Sequence, residues 1–254
     1  NLTIVSGGFM GHNNPALTNL VGLTNLTNVS GGGGLSIKSN DSLTSLDGLS
    51  RLTSVGGLDI SYNPSLTSLD GLATLTNVGE LRIDTNNALT NLNGLTNLTS
   101  VGESLWIKSN AALTNLDGLS NIVSVGGNLI IDSNVALTHL DGLTNLTSVG
   151  WPLWIKSNAA LTNLDGLANL ASVGGLDIYN NAALTSLDGL TGITNVGEDL
   201  WIRQNSALTS LDGLGNLSSV VKDLFIGDND ALTNLDGLTN LATVGGGLFI
   251  GGNL

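Results

Sequence analysis

Two hydrophobic patterns alternate along this chain. The first is Leu-x-Ile, at Leu35, Leu58, Leu81, Leu105, Leu129, Leu153, Leu176, Leu200, Leu224 and Leu248, with Leu2-Thr3-Ile4 as an eleventh copy. Strict in-out alternation over so few residues predicts a short β-strand, with an Asn three residues past the Ile ending it, as at Asn110, Asn134 and Asn158. The second pattern has a period of three: Leu113, Leu116, Leu119, Ile122, Val125. That spacing suits neither a long strand nor an α-helix face. It suits a chain turning corners, with one inward residue per short segment.

Both patterns belong to one repeat. The unit Leu-Thr-(Asn/Ser/His)-Leu-x-Gly-Leu begins at Leu17, Leu43, Leu66, Leu89, Leu113, Leu137, Leu161, Leu184, Leu208 and Leu232, and Leu105–Leu119 returns almost unchanged at Leu153–Leu167. The steps are 23 or 24 residues, except a first one of 26 that absorbs Gly31-Gly32-Gly33-Gly34. A single such unit cannot bury its leucines, whereas stacked units share a continuous core. The expected fold is all-β: a leucine-rich β-solenoid of about ten 23–24-residue coils, without helices, forming one domain over residues 1–254. Eleven strands at roughly 4.8 Å give a rod of about 50 Å. Residues 1–16 read as an atypical first coil, in which Val5–Pro15 is an inserted loop lying over the stack. The chain begins at Asn1 rather than Met, which reads as a processed product or fragment. It stops at Asn253-Leu254, just after a strand and without a polar cap, which raises end-to-end self-association.

The segment Val125-Gly-Gly-Asn-Leu-Ile-Ile-Asp-Ser-Asn-Val-Ala-Leu-Thr-His-Leu-Asp-Gly-Leu143 resembles the coil of receptor L domains and, more broadly, of leucine-rich repeats. The likeness runs through the whole chain. It implies a right-handed solenoid, extracellular or at the cell surface, that binds partners through its sheet. The absence of cysteine and the near-identical coils depart from the receptors and look more like bacterial or lower-eukaryote surface proteins. A growth-factor role is therefore not carried over.

Composition narrows the function. Charged residues are only 11% and the net charge is −13, which argues against nucleic acid or an anionic membrane as partner. No apolar run approaches the length of a membrane span. Without cysteine there is no disulfide framework or thiolate metal site. His12 and His139 lie far apart in the stack, and no Ser or carboxylate has a unique partner, so neither catalysis nor a cofactor is expected.

Four periodic rows remain as candidates. The position between Leu and Ile of successive strands reads Thr3, Ser36, Asp59, Arg82, Trp106, Ile130, Trp154, Asp177, Trp201, Phe225, Phe249, and should point outward. Trp106, Ile130, Trp154, Trp201, Phe225 and Phe249, with Lys108, Lys156 and Arg203 in the next outward row, form an exposed stripe that could hold a protein or glycan. The same residues could simply stiffen the sheet. In the next row Asp84, Lys108, Asp132 and Lys156 alternate in sign, as a charge ladder would. A second row, Thr18, Thr44, Thr67, Thr90, Thr114, Thr138, Thr162, Thr185, Thr209 and Thr233, resembles the flat faces of ice-binding proteins. Its plainer reading is a hydroxyl serving a neighbouring backbone group. Asp47, Asp70, Asp117, Asp141, Asp165, Asp188, Asp212 and Asp236 could hold calcium, but are better explained as turn residues that accept a backbone N–H before Gly. The Asn row after each strand reads as an inward amide ladder. The leading expectation is a surface binding module using the aromatic stripe; ice binding and a structural stalk are the alternatives.

Overall fold

The computed structural model describes residues 1–253; Leu254, and with it the expectation about the uncapped terminus, lies outside the described residues. Each coil carries the same parts. In the coil around Trp106 these are a two-residue strand (Ser100–Val101), a four-residue strand (Leu105–Lys108), a turn at Asn110–Leu113 and a single 3-10 turn (Asp117–Leu119). All pairings between strands of neighbouring coils are parallel and in register, so Leu105 faces Leu129, Ile107 faces Ile131, and Trp106 faces Ile130. Two ladders result, one of short and one of long strands, and they merge where Ser54–Ser61 and Asn77–Asp84 run as continuous eight-residue strands.

The period of three has a local cause. Leu119 N–H donates to Leu116 C=O at 2.8 Å and Ile122 N–H to Leu119 C=O at 2.9 Å, so successive i to i+3 turns bring every third side chain to the same side. Those side chains, with Leu and Ile of the long strand, are fully buried in one continuous core. The sequence pattern predicted corners and no helix; the corner is a single 3-10 turn.

Between strand and turn, the chain adopts a left-handed conformation at a non-glycine residue in coil after coil, including Ser39, Tyr62, Thr85, Ser109 and Gln204 at φ between 53° and 58°. Such residues cost roughly 1–2 kcal/mol each. The Asn that follows holds the corner. Asn110 N–H donates to Asn134 Oδ1 at 3.1 Å, its Nδ2 reaches back to Ile83 C=O at 3.0 Å, and its own Oδ1 accepts Asn86 N–H at 3.0 Å. One buried amide thus ties three coils. A second, exposed amide row does similar work: Asn121 and Asn145 donate to Thr96 and Ser120 C=O at 2.8 and 2.7 Å.

The first coil differs from expectation. Ile4–Val5 pairs with Asn28–Val29 in the short ladder, and Phe9–His12 pairs with Leu35–Lys38 in the long one. The segment read as an inserted loop therefore contains the first long strand, and Met10 rather than Thr3 heads the outward row. Phe9-Met10-Gly11-His12 lacks the Leu-x-Ile signature because Gly11 stands where the other strands have Ile. The Phe9 ring, 3.3 Å from where a Gly11 Cβ would lie, covers the space instead.

Candidate ligand-binding face

The long strands carry two outward rows, Met10 through Phe249 and His12 through Gly251. Five of the seven Lys and Arg side chains stand on them: Lys38, Arg82, Lys108, Lys156 and Arg203. Only four of the twenty acidic residues do, Asp59, Asp84, Asp132 and Asp177. This face is close to electrically neutral on a molecule of net charge −13.

The charges are paired, though not as the sign alternation suggested. Lys108 meets Asp132 at 3.2 Å across adjacent strands as expected. Lys156 turns away from Asp132 and binds Asp177 at 2.7 Å, which also takes Arg203 at 3.3 Å. Asp84 pairs with Arg82 on its own strand, and Lys38 with Asp59 at 2.5 Å. Burial works against the charge on Arg82. Its hydrogen bond to Asp84, with the charges of Asp84 and Asp59, outweighs that, so its pKa lies above the ordinary arginine value.

The expected stripe lies on one outward row, interrupted by Asp177 between Trp154 and Trp201, and it is not uniformly exposed. Trp106, Trp154, Trp201 and Phe225 are half-buried, and Phe249 is exposed. Ile130, expected on the exposed surface, is only 3% exposed because Trp106 and Trp154 flank it on the adjacent strands. Cations lie against the rings: Lys156 is 4.2 Å from the Trp154 ring centre, Arg203 5.0 Å from Trp201 and 4.6 Å from Tyr179, and Arg82 5.3 Å from Trp106. Phe225 and Phe249 pack at 6.5 Å between ring centres.

Two hollows open on this face. One, of about 540 Å3, lies over the small residues Gly57 and Ser36 between His12 and Arg82. The other, of about 240 Å3, lies between Trp154 and Trp201, with Asp177 below and Pro152, Glu198 and Asp199 at its margin. A further hollow beside Trp151 adjoins it through Glu198. Asp177 and Trp151 had no place in the predicted binding set. The signal for Trp151 was present, since Trp151-Pro152 interrupts a position that reads Gly127-Asn128 and Glu103-Ser104 in preceding coils.

The threonine row lies elsewhere, on the segment before each 3-10 turn, and is exposed along its length. The hydroxyl and the backbone N–H of Thr138 both donate to Thr114 C=O, at 3.3 and 3.2 Å, and Thr162 repeats this on Thr138. The aspartate row corrects an expectation. The Asp117 carboxylate does not cap its turn; Asp117 N–H donates to Asn115 Oδ1 at 3.2 Å, as Asp70 N–H does to Ser68 Oγ at 2.9 Å. The cap is the variable Asn/Ser position, which leaves the carboxylates exposed.

Among the described residues, no helix is long and apolar enough to cross a membrane. No family model matches the chain, and no curated protein matches it. Among solved structures, an internalin (InlF) from Listeria monocytogenes is 20% identical, with 98% of this chain and 81% of that one covered and a TM-score of 0.37. A leucine-rich cell surface protein from Faecalibacterium prausnitzii is 11% identical over 98% of this chain and 79% of that one, with a TM-score of 0.24. The functional domain of InlJ from Listeria monocytogenes is 18% identical over 92% and 71%, with a TM-score of 0.22. The repeat and the parallel coils, on their own geometry, make this chain a leucine-rich β-solenoid.

Proposed function

We propose that this protein is a binding or adhesion module, extracellular or at the cell surface, that holds its ligand on the long-strand face and performs no catalysis. The concentration of three Trp and five of seven cations on one near-neutral face carries the reading. Half-buried aromatics with cations fixed against them are the composition of interface hot spots, where Trp and Arg dominate. Every cation is already paired or stacked, so the face is ordered before the ligand arrives and less ordering entropy opposes binding.

Trp154→Ala should weaken binding of the ligand by about 2 kcal/mol or more, read by calorimetry. Unchanged affinity would remove Trp154 from the site. Ice binding through the threonine row is the rival, and thermal hysteresis of the protein beside Thr138→Lys decides it. The strand-face reading expects no hysteresis; activity abolished by Thr138→Lys would move the function to the threonines. The donation of those hydroxyls to the carbonyl of the preceding coil supports a structural role for the row.

A further inference from the structure

Resting on the strand-face reading, we propose that the slot between Trp154 and Trp201 is a subsite for one neutral pyranose ring of a glycan. Trp154 and Trp201 stand two strands apart, roughly 9.5 Å at ordinary strand spacing. Trp106 and Trp154 have the same separation, but Ile130 fills the gap between them. Asp177 takes that place in the slot, and its smaller side chain leaves the hollow of about 240 Å3. This is below the roughly 300–1,000 Å3 typical of drug-sized ligands and suits a single ring.

The floor has unused hydrogen-bonding capacity. Asp177 is 5% exposed, and its Oδ2 takes both Lys156 and Arg203, while its Oδ1 has no partner. Arg203 Nε is a buried donor without a partner beside it. A buried acceptor and donor left open cost free energy unless a ligand or water completes them. Adjacent hydroxyls, each both donor and acceptor, match such a pair, and the C–H faces of a pyranose match indole walls.

Charge selects against an ionic ligand. Glu198 is held by Lys222 at 3.4 Å, and Asp199 Oδ1 accepts Asp223 N–H at 3.0 Å. Three carboxylates, on Asp177, Glu198 and Asp199, and two cations, on Lys156 and Arg203, line the slot, and Lys222 outside the lining offsets Glu198. A charged ligand would lose hydration without meeting a net opposite charge. A neutral polyol meets donors and acceptors together. Trp151, 60% exposed in the adjoining hollow, offers a surface for the next sugar along.

The test is saturation-transfer NMR of the whole chain with methyl glucoside, mannoside, galactoside and N-acetylglucosaminide at about 10 mM, above the millimolar affinity of one weakly held ring. Sialic acid and a lysine amide serve as charged probes. At least one neutral glycoside should bind. Trp201→Ala and Asp177→Asn should each weaken it tenfold or more, and Asp177→Ile, which copies the Ile130 gap, should abolish it. Arg51→Ala, outside the face, should change nothing. Thermal melting of each variant shows whether it is folded, and Asp177→Asn, which keeps the side-chain size, holds the proposal testable if Trp201→Ala does not fold. Binding of none of the neutral glycosides, binding of the charged probes alone, or binding unaffected by folded Asp177→Asn and Asp177→Ile overturns the proposal. If macromolecular ligands found by array screening still depend on Trp106 while no glycoside binds, the subsite fails and the strand-face reading stands.

Discussion

The buried asparagines are the residues on which the stack most depends. Asn134 Oδ1 receives Asn110 N–H, and its Nδ2 donates to Ile107 C=O at 2.9 Å, all out of contact with water. Asn134→Ala leaves a buried donor and acceptor open, and should cost about 3 kcal/mol, seen as a lower urea midpoint. The ladder was legible, because an Asn at one position in every coil, beside leucines, has few reasons to exist except inward hydrogen bonding. The corner residue before it was not. Its identities are polar and mostly Ser, Asn or Asp, a composition common to any loop, while Tyr62, Thr85 and Gln204 break the pattern and glycine appears there only at Gly252. Gln204→Gly removes the left-handed strain at φ 56° and should raise the urea midpoint, by about 1 kcal/mol of stability. A loss of stability would show that the Gln204 side chain contributes more than its backbone costs.

At the scale of the element, the 3-10 turn sets how closely coils approach. A Cβ on Gly142 would lie 1.9 Å from Leu116 C=O of the preceding coil, and the contact recurs at Gly118 and Gly166. Gly142→Ala should therefore cost about 3 kcal/mol or prevent folding. Gly22 occupies the same position in the first coil, has nothing within 4 Å, and should accept Ala within about 0.5 kcal/mol. Comparing the two melting temperatures separates coil spacing from helix propensity; equal losses would contradict this account. Strand period and register followed from Leu-x-Ile alone, since a one-residue slip would turn Trp106 inward and Leu105 out. The first coil did not follow, because Phe9 covering Gly11 is a packing solution that no Leu-x-Ile template contains. The turn cap was assigned to the wrong residue for a related reason. An Asp in eight of the ten repeat units draws the eye, yet the polar residue two positions earlier, such as Asn115 or Ser68, accepts the backbone N–H.

For the molecule as a whole, the division of charge between faces gives the clearest direction. The outward rows of the long strands hold most of the cations and three of four Trp, while the aspartate row on the 3-10 turns stays exposed and acidic. The outward direction of the stripe was readable from alternation, but the burial of Ile130 and the hollow over Asp177 depend on which side chains stand on the two adjacent coils. The most direct test is a screen of immobilised glycans and surface proteins with three forms of the chain: the unaltered protein, Trp106→Ala/Trp154→Ala/Trp201→Ala, and Thr114→Lys/Thr138→Lys/Thr162→Lys. If the strand face is the binding surface, ligands held by the unaltered protein are lost by the Trp variant and kept by the folded Thr variant. Ligands kept by the folded Trp variant and lost by the Thr variant would contradict it.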